Sequence, residues 1–426
     1  MSTIETTIPA RSEPIRPVSP RLAPIAAADR EFNLDMLRGW AILGILAVNA
    51  MLFAWPFALS MTPTLEAFPR DGANGVGAWV TQVFFTDKFR SLFSMLFGVS
   101  IFLIGGERSD AARGALLRRR LWLLLAIGVL HGSLLWYGDI LAHYALCGFL
   151  MLLVRSWSGG RLLWTGAVLS VVWAVLAIGM AYLEAWGTSY SAAQGAEAAQ
   201  QANMFALTPE GLQAQIEAYR SGWPAALMQN LSSWLITLPV LVLGFTPITL
   251  TLMMLGLGLY KTGFFSGRAP VWVYGLIVTL AGANLALLGW NEWAKIGQPP
   301  STAMPNLGQA ADGAFAPLIT LGYASLLILM TRFGLKAVTG VLAPVGRMAF
   351  TNYLTQSLIM ASLFYLNWGP GWFGTMGPAA VWGVVASVWL VQLIWSPLWL
   401  SMFQMGPLEW LWRSATYGRW VPLRKG

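Results

Sequence analysis

The chain has 426 residues, of which 57% are hydrophobic and only 10% are charged, and its net charge is +8. Soluble domains carry about 25% charged residues, so this composition excludes an ordinary soluble protein and indicates an integral membrane protein. A single cysteine, Cys147, and only two histidines argue against a disulfide framework and against a metal centre. The positive charges are spread over many short segments, so nucleic acid is not an expected partner.

The first predicted element is a polar N-terminal tail. Residues 1–33 are rich in Pro, Ser, Ala and Arg and show no hydrophobic periodicity, so we expect a disordered cytoplasmic tail. The segment is too polar for a secretory signal, because the first apolar run begins only at Leu34. The first span is therefore expected to remain in the mature protein.

Apolar stretches follow the tail, and each approaches the ~20 residues with which an α-helix crosses ~30 Å of hydrocarbon. They predict an all-α, polytopic transmembrane helix bundle of about ten spans over residues 34–403. The predicted spans are 34–58, 79–104, 116–137, 140–155, 161–184, 231–259, 271–290, 315–331, 348–367 and 379–403.

The Lys and Arg residues predict how the bundle is oriented in the lipid bilayer. Twenty of the 26 lie in segments on the same side as the N-terminus, three lie on the opposite side and three lie within spans. Because loops rich in Lys and Arg stay in the cytoplasm, both termini are expected to be cytoplasmic. Residues 185–229 then form an outer loop, and residues 404–426 form an amphipathic tail at the cytoplasmic membrane surface.

Ionisable residues inside the second predicted span need an explanation, because each costs roughly 3 kcal/mol within hydrocarbon. The span carries Asp87, Lys88 and Arg90, and Asp87 shares one helical face with Arg90, Ser91 and Ser94. One interpretation is an internal ion pair between Asp87 and Arg90 or Lys88. The other is a polar face that lines a cavity, in which Asp87 is catalytic and Lys88 and Arg90 bind the substrate.

A histidine lies near the middle of the third predicted span. His131 follows Arg120 by eleven residues, which places it roughly 16 Å from the cytoplasmic boundary. Gly128 and Gly132 flank it at a spacing that lets another helix approach closely, either within the chain or in a homodimer. We expect His131 to be a general base or a proton relay, because imidazole titrates near neutral pH. The alternative is a buried histidine with a structural role.

The turn into the fourth predicted span holds two further candidates for catalysis. Asp139 and His143 are four residues apart, so the carboxylate is expected to orient the imidazole and to raise its basicity. The alternative role of Asp139 is to cap the fourth helix. Tyr144 follows as a candidate substrate-binding residue. Both histidines and two carboxylates thus fall in the outer half of three consecutive helices, and this convergence indicates a site.

The ninth predicted span carries a polar stripe on an otherwise apolar helix. Asn352 and Gln356 are its candidate substrate-binding residues, and Asn49 in the first span is a similar case. Polar residues in spans also join helices by hydrogen bonds worth about 0.6 kcal/mol each, and this alternative stays open. The stripe comprises Thr351, Asn352, Thr355, Gln356 and Ser357.

Four arginines lie where the first and third spans begin on the cytoplasmic side. Such a cluster can hold a phosphate-bearing ligand through bidentate hydrogen bonds, so these arginines are candidate cofactor-binding residues. The cluster equally suits anchoring against anionic lipid. The four residues are Arg38, Arg118, Arg119 and Arg120.

Three segments of the chain resemble the YeiB-like family of bacterial membrane proteins, domain-of-unknown-function family 418. They are residues 34–45 (LDMLRGWAILGI), 346–357 (GRMAFTNYLTQS) and 406–418 (GPLEWLWRSATYG). The stretch from His131 to Tyr144 fits the same family, so the resemblance covers nearly the whole chain. It implies a multi-pass protein of the bacterial cytoplasmic (inner) membrane.

More distantly, this family is similar to transmembrane acyltransferases of the heparan-α-glucosaminide N-acetyltransferase type. Those enzymes take an acetyl group from cytosolic acetyl-CoA and deliver it to a sugar amine or hydroxyl on the other side of the membrane. In their second span an aspartate precedes a Gly-x-Ser-Ile segment by eleven residues, as Asp87 precedes Gly98 here. The resemblance implies acetyl-CoA or another acyl-CoA as donor, and an active site at His131.

Two functions follow from these residues and this resemblance. The first is a membrane-bound acyltransferase in which His131 acts as the base and the arginines bind the phosphates of the donor. The second is a proton-coupled transporter or flippase that uses the same intramembrane polar residues. A third function, as a non-catalytic assembly or sensory protein, leaves the charges inside the spans without a purpose. The acyl acceptor is an unidentified small molecule.

Overall fold

The computed structural model describes residues 31–60, 62, 65, 67–194, 208–298 and 305–425. Within these ranges the regular structure is helical, and β pairing is limited to one isolated bridge between Phe403 and Arg424. The predicted all-α class is therefore confirmed. Most of the tail predicted for residues 1–33 lies outside the described residues, as do residues 195–207 of the predicted outer loop.

The helices are numbered here in chain order. Two π-helical segments, Thr81–Phe85 and Val240–Phe245, interrupt otherwise continuous helical stretches. The helices are α1 (Phe32–Ala54), α2 (Phe57–Ser60), α3 (Gly72–Val80), α4 (Lys88–Gly105), α5 (Ala111–Leu134), α6 (Leu141–Met151), α7 (Gly159–Gln194), α8 (Pro209–Arg220), α9 (Trp223–Pro239), α10 (Thr246–Lys261), α11 (Val271–Trp293), α12 (Pro305–Arg332), α13 (Lys336–Thr339), α14 (Leu342–Arg347), α15 (Ala349–Phe364), α16 (Pro378–Met402) and α17 (Pro407–Tyr417).

Seven helical stretches among the described residues are long and apolar enough to cross a membrane, and the fold is that of a helical membrane protein. The other three predicted spans correspond to α5, α6 and α15, which have 24, 11 and 16 residues. At ~1.5 Å per residue α6 reaches only about half of the ~30 Å hydrocarbon thickness. The seven stretches are Phe32–Ala54, Gly72–Gly105, Gly159–Gly187, Trp223–Lys261, Val271–Trp293, Asp312–Arg332 and Pro378–Met402.

Several connections meet at one end of the bundle, which we call the basic end. There the Lys261 ammonium, at the end of α10, donates to the Arg155 carbonyl in the α6–α7 connection at 2.9 Å. The Trp412 indole of α17 donates to the Arg120 carbonyl of α5 at 3.3 Å. The basic end thus holds Arg120, Arg155 and Lys261, three of the residues that the sequence predicts to be cytoplasmic.

α1 is the most buried of the seven long apolar stretches, and its first half lies directly against α14. A Cβ atom on Gly39 would stand 1.9 Å from the Leu342 carbonyl oxygen, and one on Gly346 would stand 1.8 Å from the Asp35 carbonyl oxygen. Such distances leave no room for any side chain, so both positions require glycine. Two of the three segments that carry the family resemblance are therefore packed backbone to backbone.

The second span is interrupted in its middle, between the first π segment and α4. Asp87 has φ of 61° there, a left-handed conformation that is uncommon for residues other than glycine. The carbonyls released by the interruption find side-chain donors: Lys88 Nζ lies 2.9 Å from the Gln82 oxygen, and Tyr323 Oη lies 3.0 Å from the Phe84 oxygen. Interrupted helices are tolerated in a bilayer where neighbouring side chains satisfy the freed backbone groups in this way.

α5 and α6 form a helical hairpin whose connection is buried. The Asn230 side chain of α9 accepts from the Tyr137 amide at 2.6 Å and donates to the Gly132 carbonyl at 3.0 Å. The Tyr365 hydroxyl donates to the Leu135 carbonyl at 2.7 Å. These bonds satisfy the backbone at the tip of the hairpin and fix its position inside the bundle.

The C-terminal helix α17 is tied to the start of α15 by one carboxylate. Glu409 Oε1 accepts from the amides of Phe350 and Thr351 at 2.7 and 3.0 Å, and Oε2 accepts from the Thr351 hydroxyl at 2.5 Å. The first amides of a helix have no partner within the helix, so Glu409 caps α15 from another helix. Residues 406–418, the third segment of the family resemblance, are thereby hydrogen-bonded to residues 346–357, the second segment.

Candidate functional site

The α5–α6 hairpin brings one histidine and one carboxylate together. His131 Nδ1 lies 2.9 Å from Asp139 Oδ1, and the two side chains are 3% and 0% exposed. The other carboxylate oxygen, Oδ2, accepts from the Ala142 amide at 2.9 Å in the first turn of α6. Asp139 therefore both caps α6 and orients an imidazole. We call His131 and Asp139 the dyad.

The second ring nitrogen of His131 is available for chemistry. A carboxylate accepts hydrogen bonds, so the Asp139 contact favours the tautomer in which Nδ1 carries the proton and Nε2 carries a lone pair. Nε2 is buried and has no hydrogen-bond partner among the described residues, and the ring centroids of Tyr353 and Trp136 lie 5.6 and 6.4 Å from that of the imidazole. An unpaired buried polar atom is costly, so it marks a place where a ligand or a water molecule belongs.

Two glycines shape the surroundings of His131. A Cβ atom on Gly128 would stand 2.1 Å from the Ala142 amide of α6, and one on Gly132 would stand 2.3 Å from the Trp234 indole nitrogen of α9. The close helix approach expected at this pair of glycines is present, and it involves two helices of the same chain. The glycines set how near α6 and α9 come to the dyad.

The predicted pairing of Asp139 with His143 is wrong. Spacing of i and i+4 brings two side chains together only within a helix, and Asp139 precedes α6 in the hairpin connection. His143 points to α10 instead, where its Nε2 lies 3.0 Å from Thr249 Oγ1 and its Nδ1 lies 3.4 Å from Thr246 Oγ1. The Cys147 sulfur lies 3.7 Å from the same Nε2.

The predicted ion pair in the second span is present. Arg90 Nη2 lies 2.8 Å from Asp87 Oδ1, and the two side chains are 28% and 32% exposed. The Phe245 ring, at the end of the second π segment, covers the Arg90 guanidinium with its centroid 5.2 Å away. Lys88 is not part of this pair, since its ammonium is bonded to the Gln82 carbonyl. The ion pair thus follows the first π segment in the chain and contacts the last residue of the second, and π segments are frequent at functional sites.

Tyr144 links the ion pair to the histidines. Its hydroxyl lies 2.6 Å from the Ser94 hydroxyl and 3.4 Å from the Arg90 carbonyl oxygen. Tyr353 interacts electrostatically with both Tyr144 and Asp139. The candidates from the second, third and fourth predicted spans therefore lie near one another, with Tyr353 between Tyr144 and the dyad.

The polar stripe of α15 faces other helices. Asn352 Nδ2 donates to the Val345 carbonyl and to the Ser396 hydroxyl at 3.0 and 3.1 Å. Gln356 Nε2 donates to Gln392 Oε1 of α16 at 2.9 Å. These bonds favour the interhelical interpretation over substrate binding. Asn49 is half-buried on α1.

The four arginines that the sequence predicts to be cytoplasmic have different neighbours. Successive residues of a helix point about 100° apart, so Arg118, Arg119 and Arg120 face different directions. Arg120 packs its guanidinium 3.6 Å from the centroid of the Trp412 ring and interacts electrostatically with Arg38. Arg118 and Arg119 are exposed, and their guanidinium groups lie beside Gly114 and Gly418 respectively. Of the four predicted arginines, Arg38 and Arg120 interact with each other, and Arg413 also acts on Arg120.

Arg38 is held in place from two sides. Its Nη1 lies 2.8 Å from Asp35 Oδ1, and its Nη2 donates to the Ser100 hydroxyl at 3.3 Å. Ser100 belongs to the segment whose spacing from Asp87 matches that of the transmembrane acyltransferases.

Among the described residues, no group of three His, Cys, Asp or Glu side chains could hold a metal ion.

Sequence reasoning missed Tyr353, Trp136 and Asn230. All three are large or amide side chains on helices or at a helix end, and no local pattern distinguishes them from ordinary core residues. Their importance comes from the buried hairpin, which places them around the dyad. The sequence does contain one signal of the buried hairpin. Only a few residues separate His131 from the apolar run of α6.

Comparison with known proteins gives relatives that span the chain. A family described as "Protein of unknown function (DUF418)" matches residues 259–419. The chain is 31% identical to "Uncharacterized protein YxaH" of Bacillus subtilis over 95% of this chain and 98% of the relative. It is also 31% identical to "Uncharacterized protein YeiB" of Escherichia coli over 91% of this chain and 96% of the relative. No solved structure matches.

Proposed function

The chain belongs to the DUF418 family, and we propose that it is a membrane-bound acyltransferase with His131 as its general base. The observation that carries the proposal is the buried dyad, in which Asp139 holds one imidazole nitrogen and the other has no partner. A histidine oriented by a carboxylate, with its second nitrogen free, is the arrangement that general-base catalysis requires.

The proposed reaction moves an acyl group from a thioester to a hydroxyl or an amine. His131 Nε2 removes the proton of the acceptor, whose oxygen or nitrogen forms a bond to the thioester carbonyl carbon. The carbon–sulfur bond breaks, and the imidazolium returns the proton to the departing thiolate. Asp139 stabilises the imidazolium between these steps. General-base catalysis of this kind contributes about 10²–10⁴-fold to the rate.

The proposed donor is acetyl-CoA or another short acyl-CoA, as the resemblance to transmembrane acyltransferases implies. Arg38 and Arg120 at the basic end are the residues that would meet its phosphates, because their guanidinium groups approach each other. Eleven residues of α5 separate Arg120 from His131, a rise of ~16 Å. An extended donor lying along α5 would therefore carry its thioester toward the dyad.

The proposal includes the predicted topology, with about ten spans in a bacterial inner membrane and both termini in the cytoplasm. The shortness of α6 does not alter the predicted orientation of the bundle. The α5–α6 hairpin begins and ends on the same side of the membrane, so every later helix keeps its direction. Asp87 and Arg90, which are partly exposed, would then bind the acceptor from the outer side.

A second candidate function is proton-coupled transport or lipid flipping. The interrupted second span favours it, because transporters place substrate and ion sites at broken helices near the bilayer midplane. In this case the Asp87–Arg90 pair would be the substrate site, and His131 would relay protons.

The test compares acyl transfer with transport in the same preparation. Purified protein in detergent is given radiolabelled acetyl-CoA and a small-molecule extract of bacterial cells, and label incorporated into the extract is counted. We expect transfer without any ion gradient, and a loss of at least about 100-fold for His131→Gln. No incorporation in detergent, together with gradient-dependent uptake of extract components by proteoliposomes, would replace the acyltransferase by a transporter.

A further inference from the structure

A buried arginine lies at the basic end, apart from the dyad. Arg155 is in the connection between α6 and α7, and only 4% of its surface is exposed. Its Nη2 makes one long hydrogen bond, 3.4 Å to the Glu107 carbonyl oxygen. Its Nε and Nη1 atoms are buried and have no hydrogen-bond partner in the part of the chain that the structure describes. Two unsatisfied donors on a charged group are expensive, because a buried charged donor loses its hydration without replacement.

Capping of α4 does not explain Arg155. The last carbonyls of that helix already have donors, since Arg113 bonds to the carbonyls of Leu103 and Ile104. The Phe102 carbonyl accepts from the Gly106 amide at 2.8 Å. The guanidinium of Arg155 is therefore not needed to neutralise the end of α4.

Other cations crowd Arg155. A Cβ atom on Gly114 would stand 3.0 Å from Arg155 Nη2 and 3.7 Å from Arg118 Nη1, so the two guanidinium groups flank the same glycine. Arg108 adds a third positive charge nearby. Burial, and next the Arg118 charge, lower the pKa of Arg155, which is the direction expected for a cation without a sufficient counter-charge.

Two carboxylates, Asp110 and Glu107, also act on Arg155, but each has another partner. Glu107 is half exposed and lies 3.6 Å from the Lys261 ammonium. Asp110 accepts from the Arg113 amide at 2.9 Å and caps α5. Positive charge is therefore in excess around Arg155, and a bound anion would balance it.

We propose that Arg155, together with Arg118 and Arg108, binds a phosphate group at the basic end of the bundle. Phosphate oxygens match the fork of a guanidinium and accept several charge-assisted hydrogen bonds at once. Gly105 and Gly114 leave the space that the guanidinium occupies, since a Cβ on Gly105 would stand 2.6 Å from Arg155 Nη1. Arg118 and Arg108 are exposed and can move to admit the ligand. The site is independent of the acyl-transfer proposal, because it includes neither Arg38 nor Arg120.

Two sources can supply such a phosphate, and both lie at this end of the protein if it is cytoplasmic. One is the headgroup of an anionic phospholipid in the adjacent leaflet. The other is a soluble phosphate or phosphate ester. The experiment therefore has a lipid arm and a soluble arm.

The readout is the thermal unfolding of the purified full-length protein in detergent. The lipid arm adds phosphatidylglycerol, with phosphatidylcholine as its neutral match, and the soluble arm adds inorganic phosphate, with chloride at equal ionic strength. A ligand that binds only the folded protein raises its unfolding temperature in a saturable way. We expect such a rise in one arm, and the arm that responds identifies the source.

The variants decide whether Arg155 is responsible. Arg155→Gln should lose the rise, and Arg155→Lys should weaken the apparent affinity by at least about tenfold, because lysine lacks the fork. Arg119→Gln is the matched control, since this exposed arginine of the same helix as Arg118 lies beside Gly418 instead. It should respond like the unmodified protein.

A second variant covers the case in which Arg155→Gln does not fold. Arg118→Gln combined with Arg108→Gln changes only exposed side chains and should also weaken the apparent affinity by at least about tenfold. The proposal is overturned if neither arm shifts the unmodified protein. It is equally overturned if the folded variants respond to the same ligand concentrations as the unmodified protein.

Discussion

His131 and His143 lie only one hairpin apart, yet their neighbours give them different chemistry. The Asp139 carboxylate holds one nitrogen of His131 and the other nitrogen is free. Both nitrogens of His143 face threonine hydroxyls of α10. A free nitrogen next to an orienting carboxylate suits a base, whereas a ring bonded on both sides suits a structural or positioning role.

The first prediction separates the two histidines by activity. His143→Gln should keep acyl transfer within about tenfold of the unmodified protein, because glutamine can still bond to the threonines. His131→Gln should lose at least about 100-fold, because it removes the base. Initial rates of label transfer from acetyl-CoA measure both. If His143→Gln proved the more damaging variant, the base would have to be assigned to His143.

The pairing of the candidate site residues is harder to predict from the sequence than the residues themselves. His131, Asp139, Asp87 and Arg90 could be found because ionisable groups are rare inside spans. The Asp139 pairing was wrong because the i and i+4 rule assumes a continuous helix, and the chain turns at that residue. Which nitrogen meets which carboxylate depends on tertiary contacts that no local spacing contains.

At the scale of elements, the contact of α1 with α14 gives a stability prediction. Gly346→Ala should destabilise the protein by about 1–3 kcal/mol or prevent its accumulation, because the new methyl group overlaps the Asp35 carbonyl. Gly383→Ala in α16 is the matched control, since nothing lies within 4 Å of its Cβ position. Alanine there should be neutral or slightly stabilising. Thermal unfolding in detergent compares the two, and equal melting would contradict the described contact.

The cap that α17 supplies to α15 gives another stability prediction. Glu409→Ala removes the acceptor of two helix amides and one hydroxyl, and should cost roughly 2–3 kcal/mol of unfolding free energy. Glu210→Ala, an exposed glutamate in α8, should change stability by less than about 0.5 kcal/mol. Chemical or thermal unfolding measures both. An unchanged Glu409→Ala variant would mean that α17 does not hold α15.

Elements with a uniform apolar composition were the ones that the sequence predicted well. The seven spans that have sufficient length and hydropathy match seven of the predicted ten. α5 has 24 residues but includes four arginines, and α6 and α15 have only 11 and 16 residues. The interruption at Asp87 was not predicted, since a left-handed residue between two helical segments leaves the apolar composition of the span unchanged.

At the scale of the whole molecule, the distribution of cationic residues predicts the membrane orientation that a cytosolic acyl-CoA donor requires. The two arginines that approach each other, Arg38 and Arg120, lie at the basic end, and an acyl-CoA donor is cytosolic. If the basic end faced outward, the donor could not reach them. The orientation is thus part of the functional proposal.

Labelling of single cysteines tests this orientation. Cys147→Ser removes the natural thiol. Ser158→Cys then places an exposed thiol on the predicted cytoplasmic side, and Ser221→Cys places one on the predicted outer side. A membrane-impermeant maleimide should label Ser221→Cys in intact spheroplasts and should label Ser158→Cys only after lysis. The reverse pattern would contradict the predicted topology, and with it the cytosolic donor.

The dyad itself is tested most directly by a double-mutant cycle on acyl transfer. Asp139→Asn keeps an acceptor for the Ala142 amide but removes the charge that orients His131, and His131→Gln removes the base. We predict a large loss in each single variant, with unchanged thermal unfolding, and no further loss in the double variant, because the two residues act as one unit. Near-normal rates in either well-folded variant, or losses that multiply in the double variant, would contradict the assignment of His131 and Asp139 as the catalytic centre.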